Sequence, residues 1–174
     1  MKAPPTWIWW VVLGAVQLAV PLSLIVQKEF VQAQGSELRL RLQPVDPADP
    51  FRGRYLALRF LVEDGRYVLP PGNDGPLCAR FRRDAQGFDQ IDGFTRDPHE
   101  PGVLKVERVR GAADRVRVPW NRYYVNEQRA PAIEDEVRRA TLPRADSPPV
   151  YATLRVAGGD AVITGLWIGG RELK

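Results

Sequence analysis

Asp46-Pro-Ala-Asp-Pro-Phe-Arg-Gly-Arg-Tyr-Leu-Ala-Leu-Arg-Phe60 is the stretch from which the rest of the chain is read. Pro47 and Pro50 fix their own φ and push Asp46 and Asp49 out of the α region, so neither a helix nor a central strand runs through this segment. The chain bends here. Gly53 follows as a residue free to take positive φ or to admit a close neighbour. From Tyr55 the pattern has period two: Leu56, Leu58, Phe60 and Val62 share one face, and Tyr55, Ala57, Arg59 and Glu63 the other. That pattern predicts a half-buried strand over Tyr55–Glu63, interrupted only by the extra apolar Leu61.

The same residues carry a resemblance. Gly53-Arg54-Tyr55-Leu56-Ala57-Leu58-Arg59-Phe60 resembles the motif that names the GDYXXLXY family, membrane-anchored bacterial proteins of unknown biochemical function. Gly53, Tyr55 and Leu58 match; Arg54 stands where the name has Asp, and Phe60 where it has Tyr. The lead-in with Asp46, Asp49 and Arg52 resembles the family too, as does RYYVNEQRAPAIE at Arg122–Glu134, with Tyr123, Tyr124, Glu127 and Glu134. These ten positions are the candidate binding or structural residues. The resemblance implies an extracytoplasmic carboxy-terminal domain and an association with multi-pass membrane proteins.

Upstream, Trp7–Val26 is twenty residues without a charge. As a helix it spans about 30 Å, the hydrocarbon thickness of a bilayer. Trp7, Trp9 and Trp10 cluster at one end, as in an interfacial aromatic belt, and Pro21 is tolerated in a membrane helix. A cleaved signal peptide is the rival, with Val31-Gln32-Ala33 as its cleavage site. Its apolar region is usually about 7–15 residues, so the longer run favours an uncleaved anchor. The expected division is an anchor at 1–27, a polar spacer at 28–36 and a β-rich domain at 37–174. Lys2 lies on one side of the apolar run and Lys28, Arg39 and Arg41 on the other, so charge does not orient it. Position at the amino terminus and the resemblance place it in the inner (cytoplasmic) membrane, single-pass, with the domain extracytoplasmic.

Downstream the signals are mostly those of strands. Glu37–Leu42 alternates leucine with arginine, and Asp64-Gly65 predicts a hairpin joining Tyr55–Glu63 to Arg66–Leu69. Pro70–Pro76 reads as a loop. Leu77–Arg83 and Phe88–Ile91 flank a turn at Asp84–Gly87, and Val103–Arg110 pairs with Arg115–Val118. Val150–Val156 and Ala161–Ile168 close the domain around Gly158-Gly159-Asp160. One helix is predicted, Pro131–Ala140: proline suits its first position, Ile133, Val137 and Ala140 share a face, and Glu134–Arg138 and Asp135–Arg139 are spaced as i,i+4 pairs. The expected fold is mainly β, an antiparallel sandwich or barrel-like domain, with one N-terminal transmembrane helix and one short helix near 131–140.

Chemistry is sparse. One cysteine, Cys78, excludes an internal disulfide and reads as a small apolar residue in its strand. The one histidine, His99, sits between prolines and reads as a solvated loop residue rather than a catalytic base. No glycine-rich phosphate loop joins a strand to a helix, and no spaced aspartates form a calcium loop, so no metal or cofactor is expected. Arginines recur as i,i+2 pairs: Arg39/Arg41, Arg80/Arg82, Arg108/Arg110 and Arg115/Arg117. Each pair faces one side of its strand and could meet anionic headgroups, but 21 acidic residues bring the net charge to +4. A salt-bridged, solvated face and no nucleic-acid partner are expected. Two functions remain: an envelope accessory domain that binds without catalysis, held to lipid by its helix, or an envelope hydrolase acting on glycan or peptide through the carboxylates Glu127 and Glu134, with Tyr123 and Tyr124 as a stacking platform.

Overall fold

The computed structural model describes residues 5–43, 55–72, 75–124, 128–141 and 147–173. Helix α1, Thr6–Gln34, continues through Pro21 and well past the apolar run. The expected spacer at 28–36 is therefore mostly helical. Gln27 to Gln34 contains no helix breaker, and the helix stops only at Gly35, whose N–H bonds the Val31 carbonyl at 2.9 Å. A side chain at Gly35 would press on the backbone of Val156, 2.8 Å from its nitrogen. Leu13–Gln34 is long and apolar enough to cross a bilayer, and only 6% of it is buried, unlike the core helix of a soluble protein.

Strand β1, Ser36–Arg41, follows directly, with Leu38, Leu40 and Leu42 buried as the alternation predicts. It pairs antiparallel with β8, Val150–Ala157, which pairs with β9, Asp160–Ile168; β10, Arg171–Glu172, lies at the far edge. Gly158 and Gly159 turn β8 into β9 with φ of 60° and 77°. Two successive positive φ values are what a two-residue type I′ hairpin requires. A second sheet has the order β4-β3-β5-β6, from Leu77–Arg83 (β3), Asp89–Thr95 (β4), Leu104–Arg108 (β5) and Val116–Arg117 (β6). Cys78 is fully buried in β3. A two-stranded ladder joins β2, Tyr55–Ala57, to β7, Arg122–Tyr124. Leu104↔Gly159 and Leu42↔Phe60 bridge the sheets. All three contribute to one core with Leu40, Phe60, Leu104, Leu154 and Leu166 at its centre, and α2, Ala130–Thr141, lays Ile133 on it.

The motif strand is shorter than the period-two pattern predicts. β2 ends at Ala57, and Leu61–Asp64 forms a 3-10 turn. Leu56, Leu58, Phe60 and Val62 are all buried while Leu61 is 42% exposed. The turn keeps Phe60 and Val62 inside at the point where two consecutive apolar residues would break a flat strand. No hairpin forms at Asp64-Gly65: Gly65 is extended at φ −62°. Its glycine serves space, since a Cβ there would run into the phenol of Tyr67. The Tyr67 hydroxyl donates to the Val62 carbonyl at 2.7 Å.

Candidate functional site

The two motif stretches meet through the backbone. Tyr55 pairs with Tyr124, Leu56 with Tyr123 and Ala57 with Arg122, and the Leu58 N–H bonds the Asn121 carbonyl at 2.7 Å. Leu56 and Leu58 are buried beneath this ladder. Alternation along β7 turns Tyr123 toward the core and leaves Tyr124 69% exposed. Helix α2 packs on both β2 and β8 and closes the corner.

Beside this ladder lies a cavity of about 480 Å³. Lys28 of α1, Trp120, Arg122 and Tyr124 line it, with Ala161–Ile163 of β9 as its floor. The end of α1 is fastened here. Gln27 Nε2 donates to Asp160 Oδ2 at 2.6 Å, Val31 is 2% exposed, and Arg155 donates to the Gly35 carbonyl at 2.9 Å. Lys28 is the first charged residue after the apolar run, so the groove opens where that run ends. Trp120 and Lys28 are not among the candidates read from the sequence; Trp120, flanked by Pro119 ahead of the tyrosines, is the available signal, but Lys28, which lines the same groove, lies about ninety residues away in sequence.

Asp46, Asp49, Arg52, Gly53 and Glu127 lie outside the described residues, and Glu134 falls in the first half of α2. His99 is exposed, its N–H bonded to Asp97 Oδ1 at 2.9 Å. The arginine pairs are largely engaged: Arg80 bonds Glu100 at 2.6 and 2.8 Å, Arg82 bonds Asp92 at 2.6 Å and Arg39 bonds Glu37 at 2.9 Å. On α2, Arg138 pairs with Asp135 at 2.6 Å and Arg139 with the same carboxylate at 3.9 Å. Among the described residues no three of His, Cys, Asp and Glu gather as metal ligands.

Glu63, expected on the wet face, is turned inward by the 3-10 segment and accepts the Val118 N–H at 2.7 Å. Burial pushes its carboxyl above the ordinary 4.5, against the pull of the Val118 and Phe60 amides and of Arg117 and Arg59. A raised folded value means that the native state holds this proton more tightly than the unfolded chain. The associated stability is full below about pH 4.5 and is lost as pH rises through the folded value. Glu63→Gln keeps an acceptor oxygen and never ionises. Its melting temperature relative to wild type should therefore climb as pH rises from about 4.5 through the folded value. A pH-independent difference between the two proteins would refute this account.

Compared with known proteins, residues 17–166 match the family model described as GDYXXLXY protein. No curated protein and no solved structure matches the chain.

Proposed function

We propose, from the premise that the chain belongs to the GDYXXLXY family, that it is a membrane-tethered accessory domain that acts by binding rather than by catalysis. In this reading α1 sits in lipid of the inner (cytoplasmic) membrane as a single-pass anchor, and residues 37–174 are extracytoplasmic. The groove of Lys28, Trp120, Arg122 and Tyr124 receives a juxtamembrane loop of a multi-pass membrane protein. The observation that carries it is the ladder of Tyr55–Ala57 with Arg122–Tyr124. It joins the family's two motif stretches and presents Tyr124 beside the point where the apolar run of α1 ends. An exposed tyrosine flanked by an arginine and a tryptophan has the composition of an interface anchor.

The test is site-specific photo-cross-linking of the full-length protein in its own membranes. A photoreactive residue at Tyr124 should give one discrete adduct with a multi-pass protein. The same residue at Val68, which is 98% exposed and away from the groove, should give none. Protease added after the outer barrier is opened should digest the domain in the same preparation. Equal adducts at both positions, no adduct at Tyr124, or a domain protected from protease would overturn the proposal.

A further inference from the structure

We infer that the outer face of the β1-β8-β9 sheet holds a second site, one that takes a short saccharide. It shares no lining residue with the groove at Tyr124 and does not depend on the reading given to that groove. Tyr151 and Trp167 stand directly opposite each other in the β8–β9 register. Their ring planes are parallel to within 4° and their centroids are 6.1 Å apart. Cross-strand aromatic pairs of this kind stabilise a sheet, but here the surroundings also fix the rings in place. Phe88 meets Tyr151 edge-on at 5.2 Å, and the Arg41 guanidinium covers the Phe88 ring at 4.2 Å.

Trp167 is positioned by a glycine. A Cβ at Gly165 would lie 2.9 Å from the indole Nε1 and 3.0 Å from Thr153 Oγ1. With no side chain there, the indole leans along its own strand and donates from Nε1 to Thr153 Oγ1 at 3.2 Å. An irregularity in the register between Thr153 and Leu154 sets Thr164 beside the same hydroxyl, to which it hydrogen-bonds at 3.2 Å. Aromatic rings, hydroxyls and charges thus occupy one face of the sheet.

Over these rings lies a cavity of about 480 Å³, rimmed by Gln32 of α1, Glu37, Arg39, Arg155, Thr153 and Thr164. The size is that of a small-molecule site. Its rim mixes donors with acceptors: two guanidinium groups, one carboxylate, one amide and two hydroxyls. Arg39 is steadied by Glu37 at 2.9 Å and Arg155 by the Gly35 carbonyl at 2.9 Å, so part of the ordering cost is met before a ligand arrives. A saccharide has the matching surface, with a C–H face to lie on aromatic rings and hydroxyls that both donate and accept. An acyl chain would strip water from the rim groups without replacing their hydrogen bonds. A phosphate would face the Glu37 carboxylate.

The experiment follows the Trp167 indole N–H by NMR in the full-length protein, carried in nanodiscs and labelled with 15N at the indoles. Wild-type protein is titrated with the soluble trimer of N-acetylglucosamine, with cellotriose and with maltotriose. A second arm places it in nanodiscs containing glucosyl-diacylglycerol. A saturable shift of the Trp167 signal, with the Trp120 signal unmoved, is expected; the arm that produces it separates a free glycan from a glycolipid headgroup. Tyr151→Ala should abolish the shift. Glu37→Gln, which removes the rim carboxylate and its ion pair with Arg39, should weaken binding about tenfold and serves as the reading if Tyr151→Ala disturbs the Trp120 signal. No shift in either arm, or a shift retained at full strength in both variants, would overturn the inference.

Discussion

Phe60→Ala is expected to destabilise the protein by about 3–5 kcal/mol, the usual cost of removing a buried phenylalanine. Phe60 is fully buried and occupies the last position of the motif. It bridges to Leu42 at the end of β1, and its carbonyl accepts the Glu63 N–H at 3.0 Å, which starts the 3-10 turn. The side chain fills the core where the motif segment meets the β1-β8-β9-β10 sheet. Urea unfolding of the full-length protein in detergent, read by far-ultraviolet circular dichroism, measures the loss. Val68→Ala, at a residue 98% exposed, should stay within about 0.5 kcal/mol of wild type. A Phe60→Ala midpoint as close to wild type as that of Val68→Ala would show that the core is not organised around this position.

The second large effect belongs to Asp89, a buried charge at 4% exposure. Its Oδ2 accepts the Arg39 backbone N–H at 2.7 Å and an Arg83 Nη2–H at 3.0 Å, while Oδ1 accepts from Arg83 Nε at 3.2 Å. The same guanidinium reaches the Glu37 carbonyl at 3.2 Å. One carboxylate thus ties β4 to β1 and so one sheet to the other. Asp89→Ala takes the carboxylate away from the Arg39 amide and the Arg83 guanidinium at once. Breaking a buried pair costs about 3–5 kcal/mol, and the half-exposed Arg83 places this case near the lower end. Asp89→Asn retains acceptor capacity and should lose roughly half as much. In a double-mutant cycle, Arg83→Ala added to Asp89→Ala should cost far less than the sum of the singles. Additive losses would mean that the pair does not act as a unit.

Much of this architecture is legible in local chemistry. The alternation of Leu38, Leu40 and Leu42 named the buried face of β1, the glycine pair at 158 and 159 named the β8–β9 hairpin, and Pro131 with Ile133 and Val137 named α2. Each of these signals concerns residues within one turn or two strand steps of one another. The predictions that missed depend on distant neighbours. Asp64-Gly65 has the composition of a hairpin, yet Gly65 is extended because Tyr67 fills the space its side chain would take. Lys28 to Gln34 has the polarity of a linker, yet it stays helical with Val31 seated on the domain and Gln27 bonded to Asp160.

The candidate site divides in the same way. Tyr123 and Tyr124 were singled out, but only their pairing with Leu56 and Tyr55 decides that one ring is core and the other surface. Lys28 joins them because the end of a helix is docked beside them. The amino-acid sequence by itself determined the apolar helix, the strand-rich domain and the buried faces, because hydrophobic period, proline, glycine and charge act over a few residues. Only the tertiary structure decided which strand β2 pairs with, that Glu63 and Asp89 turn inward, and that Trp167 lies over Gly165 beside Tyr151. Those outcomes rest on contacts between residues far apart in the chain, where a backbone amide, a missing Cβ or a neighbouring ring sets a side chain's direction.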